Sequence, residues 1–239
     1  MQRFRMVPLA ASLSIAAAAQ IPQLKVLSAT VNLQSHNIAV RVENESSKVV
    51  TAYALAITQE DADGKPIKDA SGNPSESVGV DLLEYDSQTA AWKEIQPGAV
   101  SSFPIGTGLL PDAASVEASV TGVVYSDRTF EGQAQNFFAG RANDAREARQ
   151  ALALLTPRPT TPAALESVLQ KLRAMPHGIG LSVLANQVHI TGVAAGALFD
   201  KKEPLPALAP PTAQQWDDIA AELSKRAAFW DAQSQAVPQ

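Results

Sequence analysis

The chain contains no cysteine. That absence removes disulfide stapling, thiol catalysis, thiolate metal sites and anchoring through a lipidated N-terminal cysteine, so the fold must be held by core burial alone. Histidine is nearly as scarce. The three present, His36, His177 and His189, are far apart in sequence and match no recognised metal or triad spacing. Positive charge is in deficit too: 19 Lys and Arg face 24 Asp and Glu, for a net charge of −5. Without a Lys/Arg cluster, the electrostatic footprint of a nucleic-acid binder is missing, and the same balance argues against adhesion to anionic lipid. A Gly-x-Ser-x-Gly elbow, a His-Glu-x-x-His helix and a phosphate-binding glycine loop are likewise missing.

What is present starts with residues 1–19. Arg3 and Arg5 make a short basic start, Met6 to Ala19 form an uncharged Ala- and Leu-rich run, and Ala17-Ala18-Ala19 precede Gln20. This is the layout of a cleaved export signal, with small side chains where a peptidase must fit its substrate. The run is too short to span a bilayer, which takes roughly 20 apolar residues. Cleavage after Ala19 would leave about 220 residues, with 17 basic against 24 acidic side chains. At 46% apolar and 18% charged residues, the remainder is globular in composition and large enough for one large domain or two small ones. An export signal, no cysteine and abundant alanine together point to a bacterial envelope protein, periplasmic or extracellular.

From Leu24 to about Gln135 the pattern has period two. Val26, Ser28, Thr30 and Asn32 alternate with Leu27, Ala29, Val31 and Leu33. Further strands are predicted over 38–43, 49–58, 77–85, 100–105, 116–126 and 129–135, rich in Val, Ile, Thr and Tyr. Turn chemistry separates them: Asp63-Gly64 is a hairpin-type dipeptide, Pro97-Gly98 fits a type II turn, and Ser126-Asp127-Arg128 joins two strands tightly. About seven antiparallel strands in this length predict an immunoglobulin-like or fibronectin III-like β-sandwich over 20–137, without the Cys-Trp-Cys hallmark of antibody domains.

After Phe138 the period becomes helical, and a helical C-terminal region of about four helices is expected over 138–239. Thr161 is placed to cap a helix with Pro162 at its first position, and that helix puts Leu165, Val168, Leu169, Leu172 and Met175 on one stripe. A third helix is predicted over 181–199, with His189 inside it. A Pro-rich link at 203–211 precedes the last helix, where Thr212 and Gln215 form a capping-box pair. Trp216, Ile219, Leu223, Ala227 and Trp230 recur there at three- and four-residue steps, and such a stripe must be buried against something.

Several candidate sites have plainer readings. Asn44-Glu45-Ser46 matches a glycosylation sequon and reads as a chance match. Asp61-Ala62-Asp63-Gly64 resembles the start of a calcium loop, but Gly72 stands where the twelfth-position Glu belongs, so it reads as a turn. Glu84 and Asp86 share a strand face and read as a solvated strand end. Residues 178–199 carry no charge, yet Asn186, Gln187 and His189 in mid-run disfavour membrane insertion. Gly192 and Gly196 read as a close-packing pair.

Two segments look familiar. Residues 38–55, which include the Asn44-Glu45-Ser46 turn, resemble paired strands of uncharacterised secreted bacterial proteins with an immunoglobulin-like sandwich. Residues 123–132 are similar to a hairpin of those proteins, whose turn normally reads Asp-Gly where this chain has Asp127-Arg128. The resemblance covers roughly 24–150. It implies a sandwich followed by an Arg-containing helix and brings no catalytic residue to carry over.

These readings lead to an expected non-catalytic binding or structural role in the envelope, without a cofactor. A protein partner would be met through a sheet edge or through the C-terminal helix at Trp216, Leu223 and Trp230. The rival expectation is an envelope hydrolase with its site at the sandwich–helix junction, which needs His177 or His189 to meet a carboxylate and a Ser. A third has residues 178–199 lying against a membrane.

Overall fold

The computed structural model describes residues 23–32, 37–68, 71–83, 93–105 and 109–237. The expected leader at 1–19, His36 and the Glu84/Asp86 pair lie outside the described residues. Among the described residues seven strands come first: β1 (Leu24–Asn32), β2 (Asn37–Asn44), β3 (Val50–Glu60), β4 (Ser75–Asp81), β5 (Val100–Ile105), β6 (Ser115–Tyr125) and β7 (Phe130–Gly132). Five helices follow: α1 (Gln135–Leu154), α2 (Pro162–Arg173), α3 (Ile179–Gln187), α4 (Gly192–Phe199) and α5 (Ala213–Gln233). The strands form two antiparallel sheets, ordered β1-β2-β5 and β4-β3-β6-β7.

Alternation sets the core between the sheets. On β2, Ile38, Val40 and Val42 are fully buried while Arg41 between them is exposed. They share one apolar cluster with Phe103 of β5, with Tyr53, Leu55 and Ile57 of β3, and with Val123 and Tyr125 of β6. β3 is buried on both faces, because its other side carries small residues. Ala52 packs with Val124, Ala134 and Phe138, so the start of α1 lies on the outer face of the four-stranded sheet. Gly122 permits that approach: a Cβ there would come within 2.7 Å of the Gln133 carbonyl carbon. α1 therefore touches two cores. Its first turns cover the sheet, and Ala148, Ala151 and Leu155 beyond join α2, α3 and α5 in a separate helical cluster.

Tyr53 poses a local anomaly in the sheet core. Its ring packs against Phe103 at 5.8 Å between centroids, and among the described residues its buried hydroxyl has no hydrogen-bond partner. Burial pushes the phenol well above its ordinary range. Removing the orphaned hydroxyl leaves the packing intact, so Tyr53→Phe should be neutral or stabilise by up to about 1 kcal/mol. Urea unfolding checks this, and a clear loss of stability would mean that the hydroxyl has a partner.

Several boundaries differ from the sequence reading. The strand expected over 129–135 is only Phe130–Gly132, and the helix begins at Gln135 rather than after Phe138. The short strand still pairs with β6, but the left-handed Gly132 (φ +63°) ends it. The single helix expected over 181–199 is two, α3 and α4. His189 lies in the link between them at φ +55°, a backbone conformation that no helix interior accepts. The N-caps are as expected: Thr161 Oγ1 accepts from Ala164 N at 3.2 Å, and Thr212 and Gln215 form the reciprocal capping box.

Two turns also keep their chemistry. Ala99 N donates to Gln96 O at 3.0 Å across Pro97-Gly98, with Gly98 at φ +71°. In the β6–β7 turn, Arg128 N donates to Tyr125 O at 2.8 Å, and Arg128 itself adopts φ +67° where the resembling hairpins have Gly. Its guanidinium donates to Ala232 O at 3.0 Å, and Val237 N donates to its carbonyl at 3.0 Å. Those ties to the end of α5 and the tail beyond offset a conformation that costs a non-glycine residue roughly 1–2 kcal/mol.

The turn carries a pH-sensitive group. Asp127 meets Lys48 Nζ at 2.8 Å and accepts from the hydroxyl and backbone N–H of Thr129. Partial desolvation works to raise its pKa, but these hydrogen bonds outweigh it and bring Asp127 down from 3.8 to about 2. A depressed carboxylate stabilises the fold fully above its unfolded value and loses that effect as pH falls through its folded value. The acid loss of thermal stability between about pH 4 and 2 should thus be shallower in Asp127→Asn than in wild type. Equal slopes in calorimetric scans would refute this.

Candidate functional site

A cluster of ionisable side chains in mutual contact lies where α1 leaves the sheet. Arg141, Asp144 and Glu147 follow one another at three-residue steps, so they line one side of α1. Asp81 reaches them from the end of β4, and His177 from the loop between α2 and α3.

Arg141 is 1% exposed and grips Asp81 with two bonds, Nε to Oδ2 at 3.0 Å and Nη2 to Oδ1 at 2.9 Å. Asp81 Oδ1 also accepts from Leu83 N at 3.1 Å. The guanidinium lies 5.9 Å from the centroid of the Phe138 ring. Among the described residues its buried Nη1 has no acceptor. Glu147, 4% exposed, accepts from His177 N and Ile179 N, both at 2.8 Å. Its carboxylate therefore occupies the positive N-terminus of α3, where backbone N–H groups lack intrahelical partners. The chain enters α3 through Gly178 at φ +66°, a conformation that favours glycine.

Asp144 is in direct contact with His177 Nδ1. Burial is the largest influence on its carboxyl and raises it. The His177 contact works the other way, and the nearby Glu147 and Asp81 carboxylates add to the rise, which prevails. The arrangement thus holds a histidine–carboxylate pair of the kind that orients a general base. No described Ser hydroxyl is hydrogen-bonded to His177 in it.

The other expected positions fall elsewhere. Trp216 and Leu223 are buried in the helical cluster with Ile219 and Ala227, so they meet this chain's own helices. Trp230 is half-buried and stacks edge-on with Phe229 at 4.9 Å. A surface role for Trp216 and Leu223 is at odds with that burial. The stripe was legible in the sequence, but its partner was not. Asn44 is fully buried with all of its amide engaged: Nδ2 donates to Lys48 O and Ile95 O, and Oδ1 accepts from the backbone and hydroxyl of Ser46. A glycan has no access to it. Asp61 Oδ1 accepts from Asp63 N and Lys65 N, the work of a turn residue, and among the described residues no group of three or more His, Asp or Glu is placed to hold a metal ion.

The first part of the uncharged run 178–199 is accounted for by α3, where Ile179, Leu181, Val183, Leu184 and Ala185 are buried in the helical cluster. Among the described residues no helix is long and apolar enough to cross a membrane. The end of α4 is closed by Arg173, which donates to Leu198 O, Ala197 O and Glu203 O. Sequence reasoning missed Arg141, Asp144 and Glu147 as a set. Their one available signal was three ionisable residues at three-residue steps, each followed by an alanine.

No protein-family model matches the chain, and no curated protein matches it. Among solved structures, a hypothetical protein from Peptoclostridium difficile 630, determined by X-ray diffraction at 1.85 Å, is similar at 12% identity over 49% of this chain and 91% of its own length, with a TM-score of 0.30. That likeness is too slight to bear on fold or chemistry.

Proposed function

We propose that this is an exported, non-catalytic binding or structural protein of the bacterial envelope, an immunoglobulin-like sandwich with a helical extension. The strand order supports the architecture. A constant-type immunoglobulin domain places its first, second, fifth and fourth strands in one sheet and its third, sixth and seventh in the other. Here the fourth strand pairs with the third instead, and the rest of the order agrees.

One observation carries the functional reading: the ionisable groups at the junction are spent on holding elements together. Arg141 ties α1 to β4, and Glu147 ties α1 to the start of α3. The contact surface is assigned to the edge of the three-stranded sheet. Among the described residues β5 pairs only with β2. Asn44 N donates to Ala99 O, and antiparallel alternation from there turns the N–H groups of Val100 and Ser102 away from β2. β5 is uncharged, Val100 is 47% exposed, and a groove of about 270 Å³ lined by Lys93, Ile95 and Ser102 runs beside it. Such an edge can accept a strand from a partner.

The test is capture from envelope extracts with tagged protein, comparing wild type with Ser102→Pro. A captured protein lost in the variant supports the reading. The same capture by both, or none by either, counts against it. The Asp144–His177 contact favours a second reading, an envelope hydrolase. Turnover of a p-nitrophenyl ester that His177→Gln abolishes would put that reading in place of the first.

A further inference from the structure

Two arginines tie the helices to opposite edges of the four-stranded sheet, whose order is β4-β3-β6-β7. At the β4 edge, Arg141 of α1 grips Asp81 and is 1% exposed. At the β7 edge, Arg128 in the turn before β7 reaches the other way, from the sandwich to the end of α5. Its Nη1 donates to Ala232 O at 3.0 Å, and its carbonyl accepts from Val237 N at 3.0 Å. Local contacts bring the tail there. Arg149 of α1 donates to Asp231 with Nη1 at 2.7 Å and Nη2 at 2.9 Å. Ser234 closes α5, its hydroxyl donating to Asp231 O at 2.8 Å. Between the two ties lies α1, with Phe138 on the sheet and Ala148, Ala151 and Leu155 in the helical cluster.

The ties differ in what breaking them costs. Parting Arg141 from Asp81 leaves an uncompensated charge in a buried site, which is strongly unfavourable. The bond from Arg128 to Ala232 is exposed, and the side chains of Arg149 and Asp231 are each about half exposed. Water replaces such contacts readily. Exposed ties of this kind open locally, without unfolding of the core. Arg128 also stands at φ +67°, where glycine is at home. What an arginine adds over glycine at that position is its reach to Ala232. A side chain kept in an unfavourable backbone conformation points to a task for that side chain.

We propose that the tail at 234–237 is a releasable strap. Closed on Arg128, it fixes the helical cluster at one angle to the sandwich. Open, it leaves the helical cluster to pivot on α1 about the Arg141–Asp81 pair, a hinge motion of one packed part on another. Neither sheet changes in this motion, so the strap operates whether or not β5 receives a partner.

Distances between paired spin labels test the closed state. The chain has no cysteine, so Glu117→Cys on β6 and Lys225→Cys on α5, both at exposed positions, carry the labels alone. The labelled protein is compared with and without Arg128→Gly and Val237→Pro, which remove the guanidinium and the tail N–H. The expected result is one narrow distribution that broadens or gains a second peak when both substitutions are added. An unchanged narrow distribution overturns the proposal, and so does a distribution that is already as broad without them. Amide hydrogen exchange of the wild-type chain tests the release and needs no variant. The Val237 N–H is expected to be protected, yet to exchange faster than the amides of α1 beside Arg141. An unprotected Val237 N–H, or one that exchanges no faster than those of α1, overturns the proposal.

Discussion

Arg141→Ala is expected to lower the free energy of unfolding by about 3–4 kcal/mol. The guanidinium is nearly inaccessible, and its two bonds to Asp81 join the first helix to the last-paired edge of the four-stranded sheet. Truncation leaves a cavity where the stem and the Phe138 contact were, and strips Asp81 of its cation. Asp81 has a side chain 31% exposed and regains some water, which holds the cost to the lower part of the range for broken buried pairs. The informative comparison is Arg141→Met with Asp81→Leu. A buried pair replaced by apolar groups of similar volume is often neutral or better, and here the orphaned Nη1 goes as well. Most of the lost stability should therefore return in the double variant. Urea unfolding followed by tryptophan fluorescence measures both, and a loss under about 1 kcal/mol for Arg141→Ala would show that the pair holds nothing.

The second large effect belongs to Asn44. Its side chain closes four hydrogen bonds that join the end of β2, the turn before β3 and the strand-like residue Ile95. Asn44→Ala leaves two carbonyls, a hydroxyl and the Ser46 N–H wholly or partly without partners, each worth about 1–3 kcal/mol when buried. The total expected loss is about 3–4 kcal/mol, since the Lys48 and Ser46 groups gain some water once the turn loosens. Asn44→Asp keeps the shape but sets an oxygen where the NH₂ met Lys48 O and Ile95 O. It should cost at least as much at neutral pH and recover in part as acid protonates the carboxyl. If both variants unfolded at the wild-type urea midpoint, the turn would not depend on this side chain.

The same residue illustrates how far a short pattern can mislead. Asn-x-Ser reads as a modification site or a chance match when only spacing is available. What settles its role is a set of acceptors at Lys48 and Ile95, the latter 51 residues away. Strand positions were legible because alternation of Ile38, Val40 and Val42 with Arg41 states which face is wet. Helix starts at Thr161 and Thr212 were legible for an equally local reason, since a cap bonds within three residues. The split of 181–199 into α3 and α4 was not, because every residue there is uncharged and the break at His189 comes from one backbone angle.

The junction was out of reach for a different reason. Asp81 and Arg141 are 60 residues apart, and Asp144 and His177 are 33 apart. No periodicity within either segment says that they meet. Periodic burial, caps and turns follow from interactions between near neighbours in the chain, so the order of residues suffices to state them. Which carboxylate faces which cation, and whether the Trp216 stripe covers this chain or another, depends on how α1 bridges two apolar cores. That bridging arises from long-range packing: alanines on the outer face of β3 and a glycine at position 122 let the helix come close.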